Sequence, residues 1–277
     1  MLNDLRYKDY FLFTQFSMKT FEKCPLKFKK RYLEGLNWEI SLPYDVKKSF
    51  EMGQNFHLLA YRYFLGIDAG LVEGTEGYDE LKRWLDDLQS CFKKDDGALY
   101  YPEYKLRMAK GNMRLEANFD LLVIKDDSVE IWDWKTHRRN YAEKERNERL
   151  EGEKLKNSLQ TKVYLFVLKE QLGRVVPKDL DCSKIKMYYW QPDPPKVLAE
   201  INYSTDMHET FGKDLQNEIN MILGYDYNSF DKEMYKKNCR LCEFNWFCNN
   251  ERMDYKAIEE DEDFLDELDW DSIEELT

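Results

Sequence analysis

Asp133 and Lys135 stand two residues apart in VEIWDWKT. Alternate residues of a strand share a face, so this carboxylate and this ammonium group point the same way, together with Val129 and Ile131. The stretch LEANFDLLVI, residues 115–124, precedes it across the turn-rich KDDS. If KDDS closes a hairpin of four loop residues, Ile124 sits opposite Val129, and the same register sets Asp120 opposite Asp133. Opposed residues lie about 4.5–5.5 Å apart at Cβ. Two carboxylates at that spacing repel unless a positive charge sits between them. A divalent cation such as Mg²⁺ or Mn²⁺ suits hard oxygen ligands with open water positions. Such an ion lowers the pKa of bound water and stabilises charge on a phosphoryl oxygen. With a lysine to hold the attacking water, this is equipment for phosphodiester hydrolysis. On its own, D-x-K also fits an ordinary solvated strand edge, so its surroundings decide.

Three other groups carry side chains of the right chemistry. His57 lies in GQNFH. Gln160 and Tyr164, in QTKVY, are four apart and share a helix face. The segment CRLCEFNWFC places Cys239, Cys242 and Cys248 within ten residues. A tetrahedral metal centre or a cubane cluster usually takes four protein ligands. In a reducing cytosol such cysteines read better as metal ligands than as disulfides.

These residues need elements to position them. Ser17 can cap a helix through TFEKCPLKFKKRYLEGL, where Phe21, Cys24, Phe28 and Tyr32 recur at helical spacing. Pro25 there demands an early-turn position or a kink. DVKKSFEMGQNFHLLAYRYFLG reads as a second helix, with Val46, Phe50, Gly53, His57, Ala60 and Phe64 along one side. YDELKRWLDDLQSCF is a third, with Leu81, Trp84, Leu88 and Cys91 or Phe92 inward. The period then changes to two in LEANFDLLVI and VEIWDWKT. A helix follows around LKNSLQTKVYLFVLKEQLG. IKMYYWQ and VLAEINYS are two more strands around DPP. TDMHETFGKDLQNEINMILG is a late helix, with Met207, Phe211, Leu215, Ile219 and Ile222 inward. Helices, then strands with a crossover helix, predict a mixed α/β domain with a helical arm. Tyr188, Tyr189 and Trp190 offer rings for stacking bases, although core packing is the commoner fate of such residues.

Taken in order, G-x-x-x-H (Gly53 to His57), F-D (Phe119, Asp120), D-W-K-T (Asp133 to Thr136) and Q-x-x-x-Y (Gln160 to Tyr164) resemble the RecB-like branch of the PD-(D/E)XK nuclease superfamily. That branch includes CRISPR-associated RecB-like exonucleases and the nuclease domains of helicase–nucleases. CPLKFKKRYLEGL is similar to the C-P-x-x-F…Y opening of the same branch, and the resemblance runs from about residue 14 to 250. It implies a restriction-endonuclease-like α/β core with a central mixed sheet flanked by helices, plus an N-terminal helical arm tied to the C-terminus by a metal cluster. The expected nuclease domain spans 1–256, with the arm at about 14–95, the catalytic core at about 100–225 and the cysteine segment at 235–250.

The resemblance implies that His57, Asp120, Asp133 and the backbone carbonyl of Trp134 hold Mg²⁺ or Mn²⁺. Lys135 would position or activate the water, and Gln160 and Tyr164 would orient Lys135 and the nucleic-acid backbone. Glu103, in YPEYKLRM, falls where related sequences often carry an acid. Ala117 stands where the family often has Gly, and Leu121 where it often has Arg. The iron–sulfur members of the branch pair one remote cysteine with C-x2-C-x5-C. Cys24, Cys239, Cys242 and Cys248 match that pattern and imply a [4Fe–4S] cluster, with four-thiolate Zn²⁺ as the alternative holder of the same ligands. Cys91 and Cys182 fit no pattern and read as packing residues.

The net charge of −12 looks unlike a nucleic-acid binder, but it is unevenly placed. Residues 257–277 hold 11 of the 54 acidic residues and no Lys or Arg; without them, 42 basic residues face 43 acidic ones. That acidic segment reads as a disordered end, as a docking motif for a protein partner, or as a self-inhibiting phosphate mimic. No apolar run is long enough to span a membrane, and MLNDLRYKDY has no apolar stretch of a secretory signal, so a cytoplasmic protein is expected. The expected activity is a metal-dependent DNA nuclease acting on single-stranded DNA or DNA ends, in repair, recombination or defence. The alternative is a non-catalytic or partner-dependent DNA-binding subunit of a helicase/nuclease assembly.

Overall fold

The computed structural model describes residues 4–36, 44–136, 150, 152–177 and 179–254. The acidic segment 257–277 lies outside the described residues. The chain divides into two compact units, Met1–Phe50 with Ala109–Arg114 and Gln216–Thr277, and Glu51–Met108 with Leu115–Leu215.

The second unit is built on a five-stranded sheet in the order β1-β2-β3-β4-β5. Its strands are β1 (Leu99–Lys110), β2 (Met113–Ile124), β3 (Val129–Trp134), β4 (Ile185–Pro192) and β5 (Pro195–Asn202). β2 pairs with β3 and β4 with β5 antiparallel, whereas β3 and β4 run parallel. The sheet is therefore mixed, and its parallel pair needs a crossover. Helix α5 (Leu159–Glu170) lies in that crossover. The hairpin register matches the expectation, running from Ile124 opposite Val129 to Leu121 opposite Trp132.

Helices cover the sheet. Along α3 (Tyr44–Leu65), Phe56, Leu59, Ala60 and Phe64 join Leu81, Trp84, Leu85 and Leu88 of α4 (Tyr78–Cys91) against Leu121, Val123, Trp134 and Trp190. Neighbouring strand residues face opposite ways. Thus Tyr189, next to Trp190, meets α5 instead and shares a 2.8 Å hydrogen bond with the Thr161 hydroxyl. α5 is buried almost along its whole length, including Val163 to Leu168. Gly212 of α6 (Thr205–Gly224) faces Phe166, whose ring would lie 2.8 Å from any added Cβ. A side chain at 212 would push the two helices apart.

In the first unit, α1 (Gln15–Lys23) is capped by Thr14, and Ser17 returns the bond at N3. The expected cap at Ser17 is thus corrected: the β-region backbone sits at Thr14, three residues earlier, and the two residues close a capping box. The helix does not run on through Pro25. It breaks at Cys24, and Pro25 takes N1 of a new turn, α2 (Pro25–Phe28), as its missing N–H requires. Phe28 is fully buried, with Phe11, Phe21 and Tyr32 around it. The buried Arg6 guanidinium donates to the carbonyls of Ile222 and Tyr225 at 2.7 and 2.9 Å. The short helix α7 (Asn245–Asn249) carries Cys248.

Two further readings change. β1 was not foreseen as a strand, and Cys91 is exposed at the end of α4 instead of packed, with Phe92 taking the inward place. Cys182 is buried, as expected of a packing residue. No described helix is long and apolar enough to cross a membrane.

Candidate active site

Both strands of the β2–β3 hairpin deliver a carboxylate at the same level of the sheet. Asp120 lies one step beyond the last paired residue, Leu121, and its Oδ2 accepts the Trp134 backbone N–H at 2.7 Å. Asp133 is only 3% exposed. The Lys135 ammonium is 2.7 Å from Asp133 Oδ1 and donates to Gln160 Oε1 at 3.0 Å. The Gln160 amide in turn donates to Asp133 Oδ2. Lys135, Asp133 and Gln160 thus close a ring of polar contacts. Gln160 reaches it from the first turn of α5, a helix started by Ser158, whose side chain accepts the Thr161 N–H.

Burial works against the charged form of Asp133 and pushes its pKa up to about 6; Lys135 opposes this shift and the Asp120 charge adds to it. Tyr164 lies close enough to feel both aspartates. Burial first, and those charges second, hold its hydroxyl well above the ordinary tyrosine range.

A second group stands beside this ring. His57 Nδ1, from α3, lies 3.4 Å from Asp120 Oδ1 and 3.9 Å from Glu103 Oε1. Ligand atoms of His57, Glu103 and Asp120 all fall within 4.8 Å of one another. Cis ligands of an octahedral ion at about 2.1 Å stand roughly 3 Å apart, so a small inward movement would complete such a site. Burial alone would lower the His57 pKa, but the two carboxylates outweigh it and hold the imidazolium up to about 10. A proton held on His57 would bring positive charge between the two acids.

His57, Asp120, Asp133, Lys135, Gln160 and Tyr164 therefore come to one place. The arrangement differs in one respect from the expected ligand set. Asp133 directs its oxygens to Lys135 and Gln160, while Glu103 joins His57 and Asp120. Glu103 has φ of 50°, in the left-handed region that non-glycine residues avoid. Such strain costs of order 1–3 kcal/mol and is typically kept where it serves a site. Asn118 Nδ2 holds Glu103 Oε2 at 3.3 Å.

Sequence reasoning missed Asn118 and the supporting role of Tyr189. The Tyr189 ring lies under the Lys135 ammonium at 5.2 Å, and its hydroxyl is fixed by Thr161. Asn118 shares its strand parity with Asp120, and that parity was the available signal. Tyr189 and Trp190 are buried, and Tyr188 stacks on Trp132 at 4.1 Å, so none of the three offers a free ring to a base.

In the other unit, Cys24, Cys239, Cys242 and Cys248 all line one cavity of about 110 Å³. One water needs only ~10–15 Å³ on this measure. Burial raises the thiol pKa of Cys24, Cys242 and Cys248, reaching about 12 at Cys242. Cys24 also feels Cys239 and Cys248, so the remote cysteine and the C-terminal ones are electrostatic neighbours.

The sequence model of the PD-(D/E)XK nuclease superfamily matches residues 13–97 and 81–249. No curated protein matches the sequence. Among solved structures, the chain resembles "Putative exonuclease" from Eubacterium rectale at 8% identity and a TM-score of 0.46, covering 82% of this chain and 88% of that one. It resembles SSO0001 at 14% identity and a TM-score of 0.38, covering 87% and 88%.

Proposed function

From the premise that the chain belongs to the PD-(D/E)XK nuclease superfamily, we propose that it is a metal-dependent deoxyribonuclease acting on single-stranded DNA or DNA ends. The single observation that carries this reading is the closed contact set Lys135–Asp133–Gln160 beside His57, Glu103 and Asp120. A structural ion pair would need only two of these groups. Here one lysine is aimed by a buried carboxylate and an amide, with a nitrogen–oxygen donor set next to it.

The donor set of one imidazole nitrogen and carboxylate oxygens fits a hard divalent cation. His57 and Asp120 would hold it, with Glu103 within reach and Asp133 and the Trp134 carbonyl available. Bound there, Mg²⁺ or Mn²⁺ would polarise the phosphoryl group and make water a better nucleophile. The residues of the chain supply the rest. Lys135 holds the attacking water and offsets developing negative charge on the phosphate. Gln160 locks the Lys135 and Asp133 rotamers together. Trp134 N–H fixes the Asp120 carboxylate. Tyr164 closes the buried side of the ring of contacts.

The four cysteines fit a thiolate-ligated group. A single Zn²⁺ would use the same four thiolates. The pairing of one remote cysteine with C-x2-C-x5-C, as in the family's iron–sulfur members, supports a [4Fe–4S] cluster. Its role would be to cross-link segments more than two hundred residues apart in sequence.

The test is cleavage of labelled single- and double-stranded DNA by the chain purified without oxygen, with Mn²⁺, Mg²⁺ or chelator. Cleavage that requires the ion and is lost in Asp120→Asn supports the reading. A folded, cluster-loaded chain that cuts nothing would favour the second reading, a DNA-binding or partner-dependent subunit, with the acidic segment 257–277 as the handle for a protein partner.

A further inference from the structure

Tyr189 is fully buried, and packing alone would not need its hydroxyl. It is the register partner of Asp133 across the parallel β3–β4 pair, so the two side chains share the face that meets α5. The Lys135 backbone N–H donates to the Trp190 carbonyl at 2.8 Å and carries this pairing one residue further. The Lys135 ammonium then lies 5.2 Å from the centre of the Tyr189 ring. An ammonium over an aromatic face is attracted by the ring quadrupole, more strongly where water is excluded.

At the far end of the ring, the placement of the hydrogens is forced. The Thr161 hydroxyl has one proton and donates it to the Leu155 carbonyl at 2.7 Å, which can only accept. Thr161 Oγ1 therefore accepts from the Tyr189 hydroxyl at 2.8 Å and from Ser158 Oγ at 3.2 Å, filling its two lone pairs. Ser158 Oγ in turn accepts the Thr161 backbone N–H at the start of α5. Burial first, and the Asp133 charge second, hold the Tyr189 hydroxyl well above the ordinary tyrosine range, so it keeps its proton. These contacts fall on the one turn that carries Gln160, between Ser158 and Thr161. Gln160 reaches the other way, to Lys135 and Asp133.

We propose that Tyr189 is a positioning residue for the reaction: its hydroxyl ties the first turn of α5 to the strand beside Asp133, and its ring seats Lys135. One rigid side chain thus sets where Gln160 meets its two partners. Phenylalanine would fill the same space in the core, but it would leave the turn that bears Gln160 without this tie. The inference deepens the nuclease reading and rests on it for the reaction that is served. The placement of Gln160 by Tyr189 can be read without catalysis.

The test uses the full chain with its cysteine site loaded. Cleavage of labelled single-stranded DNA is followed with Mn²⁺. The Gln160 side-chain amide is followed by NMR with isotope-labelled glutamine and no divalent ion, its signal being the one that Gln160→Ala removes. Tyr189→Phe keeps the ring and is expected to lower kcat about three- to tenfold, the span of one net hydrogen bond, with KM within about twofold. It should also shift the Gln160 signal. Thr161→Val should copy both effects, whereas Thr161→Ser keeps the accepting hydroxyl and should hold kcat within about twofold. Tyr189→Leu also removes the seat of Lys135 and should lower kcat about thirtyfold or more. In a Gln160→Ala background, Tyr189→Phe should lower kcat no further, because the hydroxyl acts through Gln160. A role in stability alone would move the melting temperature and leave the Gln160 signal in place. Should Tyr189→Leu not fold, Tyr189→Phe and the two Thr161 variants carry the test.

Wild-type kcat in Tyr189→Phe, or the same fold loss with and without Gln160, overturns the inference alone, since a wild type that cuts keeps the nuclease reading. A wild type that never cuts DNA removes that reading, and the Gln160 signal then decides. A signal moved by Tyr189→Phe and kept by Thr161→Ser supports the placement of Gln160 by Tyr189. A signal unmoved by Tyr189→Phe overturns it.

Discussion

The carboxylate site and the cysteine site both gather donors from distant stretches of chain, yet they hold them in opposite ways. In the unit of residues 51–108 and 115–215, the side chains hold one another: Lys135 on Asp133 and Gln160, Gln160 on Asp133, Asp120 on a backbone N–H, and His57 between two acids. The raised His57 and the Lys135 ammonium bring positive charge to these acids. In the other unit, the cysteines are placed by backbone turns such as Cys242 N–H to the Cys239 carbonyl at 3.1 Å, and their thiols face a cavity. Hard ligands that move protons and phosphates need pre-set orientation. Soft ligands around a structural group need only proximity, since the bound group supplies the cross-link and with it part of the folding free energy.

The sharpest break of this contrast is a change at each site. Asp120→Asn should lower DNA cleavage by about a thousandfold or more, within the span typical of lost charge-stabilising groups. In chelator it should lower melting by only a few degrees, through the lost charge partner of His57, as followed by circular dichroism. Cys242→Ser should do the reverse. It should strip the sulfur-bound metal and cut the melting temperature by roughly 10 °C, as a loss of several kcal/mol implies. Mn²⁺ binding at the other site should remain in calorimetry. If Cys242→Ser melts like the wild type, the cysteine site is no cross-link.

Gln160→Ala should have a smaller effect, about ten- to a hundredfold on kcat with little change in KM, because it acts by positioning Lys135 and Asp133. A shift in the acid limb of the pH–rate profile would separate positioning from general destabilisation.

Proton linkage adds a finer test. His57 is raised from 6.5 to about 10 and Asp133 from 3.8 to about 6. In both cases the folded, metal-free chain binds the proton more tightly than the unfolded one. The Asp133 contribution is fully present below pH 3.8 and is lost as pH rises through about 6. The His57 contribution is fully present below pH 6.5 and is lost as pH rises through about 10. Metal must displace the His57 proton, so apparent Mg²⁺ affinity should climb by up to about tenfold per pH unit between pH 6.5 and 8.5. A flat profile in calorimetry would place the ion away from His57. The smallest expected effect is at Cys91, exposed on α4, where Cys91→Ser should move neither activity nor melting.

Much of the candidate site's geometry was legible because it follows from period and register. A four-residue KDDS loop fixes Ile124 opposite Val129, and the rest of the hairpin follows by counting. Spacing of four put Gln160 and Tyr164 on one face of α5. β1 escaped notice because YYPEYKLRMAK alternates poorly. Pro102 interrupts it, and its outer half is mostly exposed or half-buried, as befits an edge strand. The part of Glu103 in the site was hidden for a related reason. Its left-handed backbone turns the side chain toward His57, and no period of two or 3.6 encodes that turn. The capping shift from Ser17 to Thr14 is smaller: both residue types cap well, and only the backbone dihedrals decide between them. The cysteine convergence could be seen in the sequence only through the family pattern, because nothing local to Cys24 signals residues two hundred positions away.

The most direct measurement of the central claim is the rate at which Lys135→Ala cleaves single-stranded DNA when loaded with Mn²⁺ to wild-type occupancy. The account predicts a loss of about 10²–10⁴ in rate, because Lys135 acts on water and phosphate and is not a ligand. Cleavage at the wild-type rate would contradict it and would place the chemistry of this chain somewhere other than the Lys135–Asp133–Gln160 contact set.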